Sequence, residues 1–565
     1  MKHLLSILLL MCVQSATAQR LIPHESLHHL EELSLPERVE PLLTDGWYQD
    51  APNNNMCPLD KDGNRCLVGC VATAMTQVMH YWQWPLQGTG SHEYTDEKGC
   101  GQTLSSNFSQ HKYDWSQVLD FYREGEYSQQ QANAIAQVSS DCGIAVNMRY
   151  GSVTSGAHTV YQPLALVRYF DYDPGAQIYF RDFYSLEEIT LMLKQELAAG
   201  RPVLISGTNH TGAHAFVLDG YDEQDRFHLH LGNPNNVGDG WSSLQNMTPS
   251  QEEWYDADSP ENGMSVLQIF VMGIVPSNHP EAKGVERYNF GFQYISAVRE
   301  REDECPVYTR EQVKVTVHDL SNMGWNTFND SVALMLKRDN RIVCPLYVYD
   351  RTFLVEEIDD TTYNDTICFA IPPTVERGLY TIVPMYRDNA EDGGKEWREA
   401  LTSPSIPNYL IAEVQDQQVT LSSDTLSTGY LTIEDIDFPD FMIHDTCPEY
   451  SITFKNHRAE MAGRFYLVLE CMDGSGKTFI LQAQGLSLQK DEVTTRRFHK
   501  TKLFLNRIGE QFRLRVRYLP CLYSDDGRAI EMELPREIII TVLSENEMEI
   551  ASKEKTFNTQ NSEFS

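Results

Sequence analysis

Basic side chains are in short supply: 45 lysines and arginines stand against 80 aspartates and glutamates, a formal charge of -35 over 565 residues. Such an excess repels phosphate backbones and anionic lipid surfaces, so nucleic acid is not an expected partner. Long apolar runs are lacking as well. Beyond the first residues no charge-free stretch approaches the roughly 20 needed to cross a bilayer, and no membrane span is expected. A convincing metal-ligand pattern is also missing. His210, His214, His228 and His230 lie near one another, and His228 and His230 share one strand face, but no carboxylate or thiol at ligand spacing completes a set. No metal and no cofactor are expected.

The sequence opens on Lys2 and His3, the mostly apolar run Leu4 to Val13, and the small-residue site Ala16-Thr17-Ala18. This pattern predicts a secretory signal peptide over 1–18 and places the protein outside the cell, secreted or on the cell surface. Cys12 follows the bulky Met11, which argues against lipid attachment at that thiol. Of the 12 cysteines, Cys12 lies inside this leader, so the exported chain carries an odd number and one thiol is expected to stay free. Cys57 and Cys66 flank the turn-rich stretch Pro58 to Arg65 and are candidates to pair; the other connectivity is open.

Hydrophobic residues at 41% and charged residues at 22% describe a folded globular chain, and its length predicts several domains. A short segment, 19–40, follows the leader. Residues 41–277 mix helical and strand patterns, and Pro276-Ser277-Asn278-His279-Pro280 reads as a linker. After it the chain is nearly all strand and turn, predicting β-sandwich modules over 285–420 and 425–545 and a disordered tail over 546–565. Two faint echoes suggest that these modules repeat. Cys305-Pro306 recurs as Cys447-Pro448, and Leu379 to Tyr386 resembles Phe512 to Tyr518, each leading into an Asp/Gly turn. Immunoglobulin-like sandwiches fit this pattern; chance β patterning is the alternative.

Within the first part, Val71, Ala74, Met75, Val78 and Trp82 recur at helical spacing, with Cys70 at the amino end. A helix amino terminus stabilises a thiolate through its oriented N–H groups, which makes Cys70 a candidate nucleophile, a buried structural cysteine being the alternative. Ser185 and Glu188 form a capping-box pattern that opens a helix over 186–199, stopped by Gly200. Short apolar runs then predict adjacent antiparallel strands over 202–206, 215–221 and 227–231. His214 directly precedes the second of these, where a ring at a strand edge can face a thiol and form the ion pair that thiol catalysis needs. His210, within the preceding loop, is its rival.

Gly69-Cys70-Val71-Ala72-Thr73-Ala74-Met75-Thr76-Gln77-Val78-Met79 resembles the nucleophile helix of the streptopain family of papain-like bacterial cysteine peptidases. Gly212-Ala213-His214-Ala215-Phe216-Val217-Leu218-Asp219-Gly220 resembles that family's histidine strand. Weaker likenesses lie at Tyr48 to Asn53, Tyr113-Asp114-Trp115, Cys142 to Val146, Tyr150-Gly151 and Ser155 to Ala157, and Val271 to Val275 resembles the closing strand. The resemblance spans about 41–276 and is silent on the β modules. It implies an α+β papain-like domain in which Cys70 is the nucleophile, His214 the base, and Gln49 the side-chain donor of an oxyanion hole, about 20 residues before the thiol. Protein or peptide substrates are then the expected partners, cleaved by an endopeptidase through a thioester.

Two departures stand out. Where the family follows its histidine strand with Asn-Trp, this chain has His230-Leu231; His230 is the candidate to orient the His214 ring, with Asn233, Asn235 and Asn236 as substitutes. A long prosegment is also lacking before Gln49, so restraint is expected from a separate protein inhibitor, from a short plug over 20–41, or from intrinsically low activity. The same departures motivate an alternative: a weakened peptidase relative that binds or adheres through its β modules.

Overall fold

The computed structural model describes residues 35–544 and 547, except 209–211, 234–237, 246, 248–263, 265, 299–306, 355–362, 391, 405, 423–430, 444–445, 448, 458–460, 489–490, 499–500, 503–507 and 520–529. The leader, His210, Asn235, Asn236, Cys305 and almost all of the tail thus lie outside the described residues. Among the described residues no helix is long and apolar enough to cross a membrane.

The first part is built on helices α1 (Cys70–Trp82), α2 (Gln129–Ala145), α3 (Tyr161–Tyr169) and α4 (Leu186–Ala198). A small hairpin joins β1 (His92–Thr95) to β2 (Thr103–Ser106). The main sheet uses β3 (Gln177–Phe180), β4 (Val203–Thr208), β5 (Ala213–Tyr221), β6 (Phe227–His230), β7 (Gly240–Ser242) and β8 (Val266–Met272), ordered β3-β8-β4-β5-β6-β7 with antiparallel neighbours.

Helix α1 forms where the apolar spacing predicts it. Val71, Ala74, Met75 and Val78 are almost fully buried and share one apolar core with Phe216 and Leu218 of β5. Burying side chains of this size contributes roughly 1.5–3 kcal/mol each, enough to hold the helix against the sheet. Helix α4 opens on the expected capping box: Ser185 accepts from Glu188 N–H, and the Glu188 carboxylate accepts from Ser185 N–H. Strand β5 starts at Ala213, so His214 stands inside the strand instead of just before it, paired with Gly207 of β4. The closing strand β8 ends at Met272 because Gly273 turns at φ 75°, three residues short of Val275.

The proline-containing stretch that reads as a linker is fastened down. Ser277 Oγ donates to Asp171, and the Asp173 carboxylate accepts from Lys283 and Gly284 N–H at 3.0 and 2.7 Å. The next module then docks on the edge of β3. Trp325 Nε1 donates to Ala176 O at 2.6 Å, Asn289 Nδ2 donates to Ile178 O at 3.0 Å, and Met323 and Trp325 lie within the core of the first part.

Beyond residue 285 there are two pairs of sheets. In the first, Tyr294–Ala297, Val313–Asn322 and Tyr363–Phe369 form one sheet. The other is centred on Gly378–Asn389 and Phe328–Arg338, and Val315, Val317, Leu334 and Ile382 share a core between them. In the second pair, Leu431–Asp437, Tyr450–Asn456 and Val493–Phe498 form a sheet. A sheet centred on Gln511–Leu519 and Met461–Cys471 joins it through a core containing Ile452, Phe454, Leu467 and Val516. The echoed stretches occupy matching places. Gly378–Asn389 and Gln511–Leu519 each lie beside the long hairpin of their module and each carry a short extra strand, Lys395–Glu399 and Ile530–Met532.

Candidate active site

Cys70 is the first residue of α1, and the residue before it cannot carry a side chain. Gly69 has φ 89°, and a Cβ there would stand 2.5 Å from Met148 Sδ. As N-cap, Gly69 offers no side-chain acceptor to the first-turn N–H groups, which leaves them to the sulfur. The Val71 N–H donates to Cys70, as does Ala215 N–H from β5. Burial pushes the Cys70 thiol up, but the hydrogen bond and charge of His214, together with these two backbone donors, outweigh it and bring the thiol below its ordinary value.

His214 reaches that sulfur from β5. Its Nε2 lies 2.9 Å from Leu231 O, and a carbonyl only accepts, so Nε2 carries the proton and Nδ1 is turned to the thiol. The Phe216 ring stacks beside the imidazole at 5.8 Å between centroids. The structure thus brings Cys70 and His214 together.

It does not bring His230 onto the His214 ring. His230 is buried beneath the site with its Nε2 3.3 Å from Asp45 Oδ1 and its Nδ1 3.1 Å from Asp239 Oδ2, so both nitrogens face carboxylates. The orienting acceptor is instead the backbone carbonyl one residue later, which no side-chain pattern advertises. Gln49 is half-buried, and its carbonyl accepts from Val68 N–H at 3.1 Å, which holds it beside the lead-in to Cys70.

Asp45, Asp239 and Gln77 escape a reading of motifs alone. Gln77 Nε2 donates to Asp45 Oδ1 at 2.9 Å, and Leu231 N–H donates to Asp239 Oδ1 at 2.8 Å. One signal was available in the sequence: Asp45 is a lone charge inside Leu42 to Trp47, among residues destined for the core.

Part of the segment considered as a plug lies away from the thiol. Val39 pairs with Tyr221 at the opposite end of β5 from His214, and Leu42 and Leu43 N–H donate to Asp219 O and Oδ2. Residues 20–34 lie outside the described residues. Cys57 and Cys66, candidates to pair, stand as free buried thiols, and Cys100 is buried nearby with Gln102 Nε2 donating to Leu59 O. Burial pushes Cys57 up to about 12 and Cys66 up to about 11.

A thiol at a helix amino terminus, an imidazole from a neighbouring antiparallel strand and an acceptor behind the imidazole define the papain-like class of cysteine peptidase. Residues 47–241 match the Peptidase C10 family, and the domain they form belongs to it. The chain is 30% identical over 219 residues to streptopain of Streptococcus pyogenes, covering 38% of this chain and 54% of streptopain. It is 30% identical over 259 residues to the thiol protease/hemagglutinin PrtT of Porphyromonas gingivalis, covering 44% of this chain and 29% of that protein. Active interpain A cysteine protease of Prevotella intermedia is 31% identical across 42% of this chain and 95% of its own, with a TM-score of 0.37. The chain spans about half the length of streptopain and less than a third of PrtT.

Proposed function

We propose that the protein is an endopeptidase of the cysteine type, acting outside the cell on protein or peptide substrates. The observation that carries the reading is the Cys70 sulfur held by His214, whose ring is in turn held by Leu231 O. In the proposed cycle the Cys70 thiolate attacks the scissile carbonyl carbon, forming a C–S bond and an oxyanion. A backbone N–H at the start of α1 and the Gln49 side chain would donate to that oxyanion, a contribution of roughly 3–4 kcal/mol per donor in comparable sites. As the C–N bond breaks, protonated His214 gives its proton to the leaving amine. Water then attacks the thioester, His214 takes its proton, and the thiolate leaves.

Export rests on the leader pattern at 1–18 and on the acidic composition. The two carboxy-terminal units share the order of three strands in one sheet and of the four strands around the long hairpin in the other, which supports a reading as repeated immunoglobulin-like modules. A thiol-directed, substrate-like inhibitor applied under reducing conditions tests the assignment. Labelling at Cys70 and loss of cleavage in Cys70→Ala are expected; an unlabelled Cys70 would favour a binding protein that works through its β modules.

A further inference from the structure

The buried ion cluster beneath the base belongs to no step of the proposed cycle, yet it touches three of the segments that build the site. Asp45 lies four residues before Gln49, on the strap pinned by Gly46 N–H to Asp120 O and Trp47 Nε1 to Leu119 O. Gln77 lies on α1 two helical turns beyond Cys70, on the same face. Asp239 lies just before β7 and holds Leu231 through the Leu231 N–H, while the Leu231 carbonyl accepts from His214. His230 stands between the two carboxylates, with the side chains of Asp45, His230 and Asp239 only 1%, 2% and 7% exposed.

A neutral imidazole has a single N–H and would turn a lone pair toward one of these carboxylates at 3.1–3.3 Å. A doubly protonated ring donates to Asp45 and sets its positive charge against Asp239, leaving neither anion buried alone, an arrangement that costs far less than an unpaired charge. Gly232, at φ 69°, lets the chain after Leu231 lie on α1, where a Cβ would meet Thr73 Cγ2 at 3.2 Å and Gln77 Nε2 at 3.7 Å. The loop bearing the orienting carbonyl and the helix bearing the nucleophile are therefore packed together as well as bridged.

We propose that His230 is a positioning residue of this peptidase site: as a cation clamped between Asp45 and Asp239 it fixes the Leu231 carbonyl behind His214 and locks it to the nucleophile helix through Gln77. The inference rests on the Cys70–His214 reading. It assigns to a buried ionic bridge the orienting duty that a side-chain amide has in the family pattern. Burial works against the charge on His230, but the hydrogen bonds and charges of Asp239 and Asp45 outweigh it and raise the ring to about 10. Other titratable groups near the cluster are His80, which faces both Asp45 and Asp120, and whose own charge burial disfavours.

The test compares the full-length protein with His230→Leu, His230→Asn and Asp239→Asn. Three quantities are read: the pH profile of Cys70 alkylation by iodoacetamide, kcat and KM on a peptide substrate, and the Tm. Wild type should alkylate Cys70 with its acid limb below the ordinary thiol range. In His230→Leu the acid limb should move up by about one pH unit, and kcat should fall about 10- to 100-fold with little change in KM, as small misplacements of reacting groups do. Asp239→Asn keeps an acceptor for Leu231 N–H and should show the same shift at smaller size, which keeps the proposal testable if His230→Leu fails to fold. A lowered Tm with unchanged alkylation limb and kcat in every folded variant would overturn the positioning role alone. An ordinary alkylation limb in wild type would overturn the Cys70–His214 reading and this proposal with it.

Discussion

Replacing His214 by alanine isolates the electrostatics of the Cys70 thiol. In the native site, burial raises the Cys70 thiol while the His214 hydrogen bond and charge, with Val71 and Ala215 N–H, bring it down. Without the imidazole, burial remains and only the two backbone donors oppose it, so the thiol should return to the ordinary value near 8.5 or above. A thiol of that pKa is only about 1% thiolate at pH 6.5. Native Cys70, brought below that value, holds a larger thiolate fraction at the same pH, and full ionisation sets the upper bound on the loss at roughly 100-fold. The more basic thiolate of the variant is intrinsically more nucleophilic, with a Brønsted slope of about 0.5, which gives part of this back. A net slowing of several-fold, at most about 10-fold, is therefore expected at pH 6.5, with the two rates converging and crossing before the variant's own thiol range near 8.5 is reached. Iodoacetamide kinetics followed by mass spectrometry at Cys70 measure both limbs. Equal rates for native protein and variant at pH 6.5 would refute the argument, because they would mean that His214 does not stabilise the thiolate.

Cys57 and Cys66 are pushed up to about 12 and about 11, so limited alkylation of the native protein at pH 7 should modify Cys70 first and leave both unlabelled until the protein unfolds. Gly232→Ala should lower activity by about 10-fold or more, since its φ of 69° disfavours a side chain and the new methyl would press on Thr73, shifting the carbonyl behind His214. Trp325→Ala should cost about 3–5 kcal/mol in urea unfolding, and deletion from residue 285 should destabilise the peptidase domain more than deletion from 425, because Trp325 fills the core of that domain. His230, raised to about 10 in the fold against about 6.5 unfolded, contributes stability that is fully present below pH 6.5 and lost as pH rises through 10. A Tm series from pH 6 to 10 should fall more steeply for native protein than for His230→Leu.

The elements that a short window of sequence controls appear in the structure close to where they are expected. Helix α1 follows from apolar spacing alone, and α4 from a capping box whose two partners are three residues apart, so no distant contact had to be known. His214 and Cys70 were legible for a related reason: each lies in a stretch whose local conformation creates its chemistry, a helix amino terminus and a strand edge. Boundaries were less legible. Strand β5 begins at Ala213 because β4 continues to Thr208 and pairs with it, which is a property of the partner strand.

The ion cluster beneath the base could not be read in this way. Asp45 and His230 are 185 positions apart, and a histidine that follows a strand carries the same local pattern whether it orients another ring or sits between two carboxylates. Likewise, Pro276 to Pro280 has the composition of a loose linker, and only its contacts with Asp171 and Tyr172 decide that it is held: Ser277 donates to Asp171 and Pro276 pairs with Tyr172. Sequence by itself singled out Cys70 and His214 as the candidate nucleophile and base and determined the strand-rich character of the second half, since these depend on period, capping and turn chemistry. Tertiary structure alone decided what holds the base and what covers β3, because a buried charge or an indole finds its partner only when the chain closes over it.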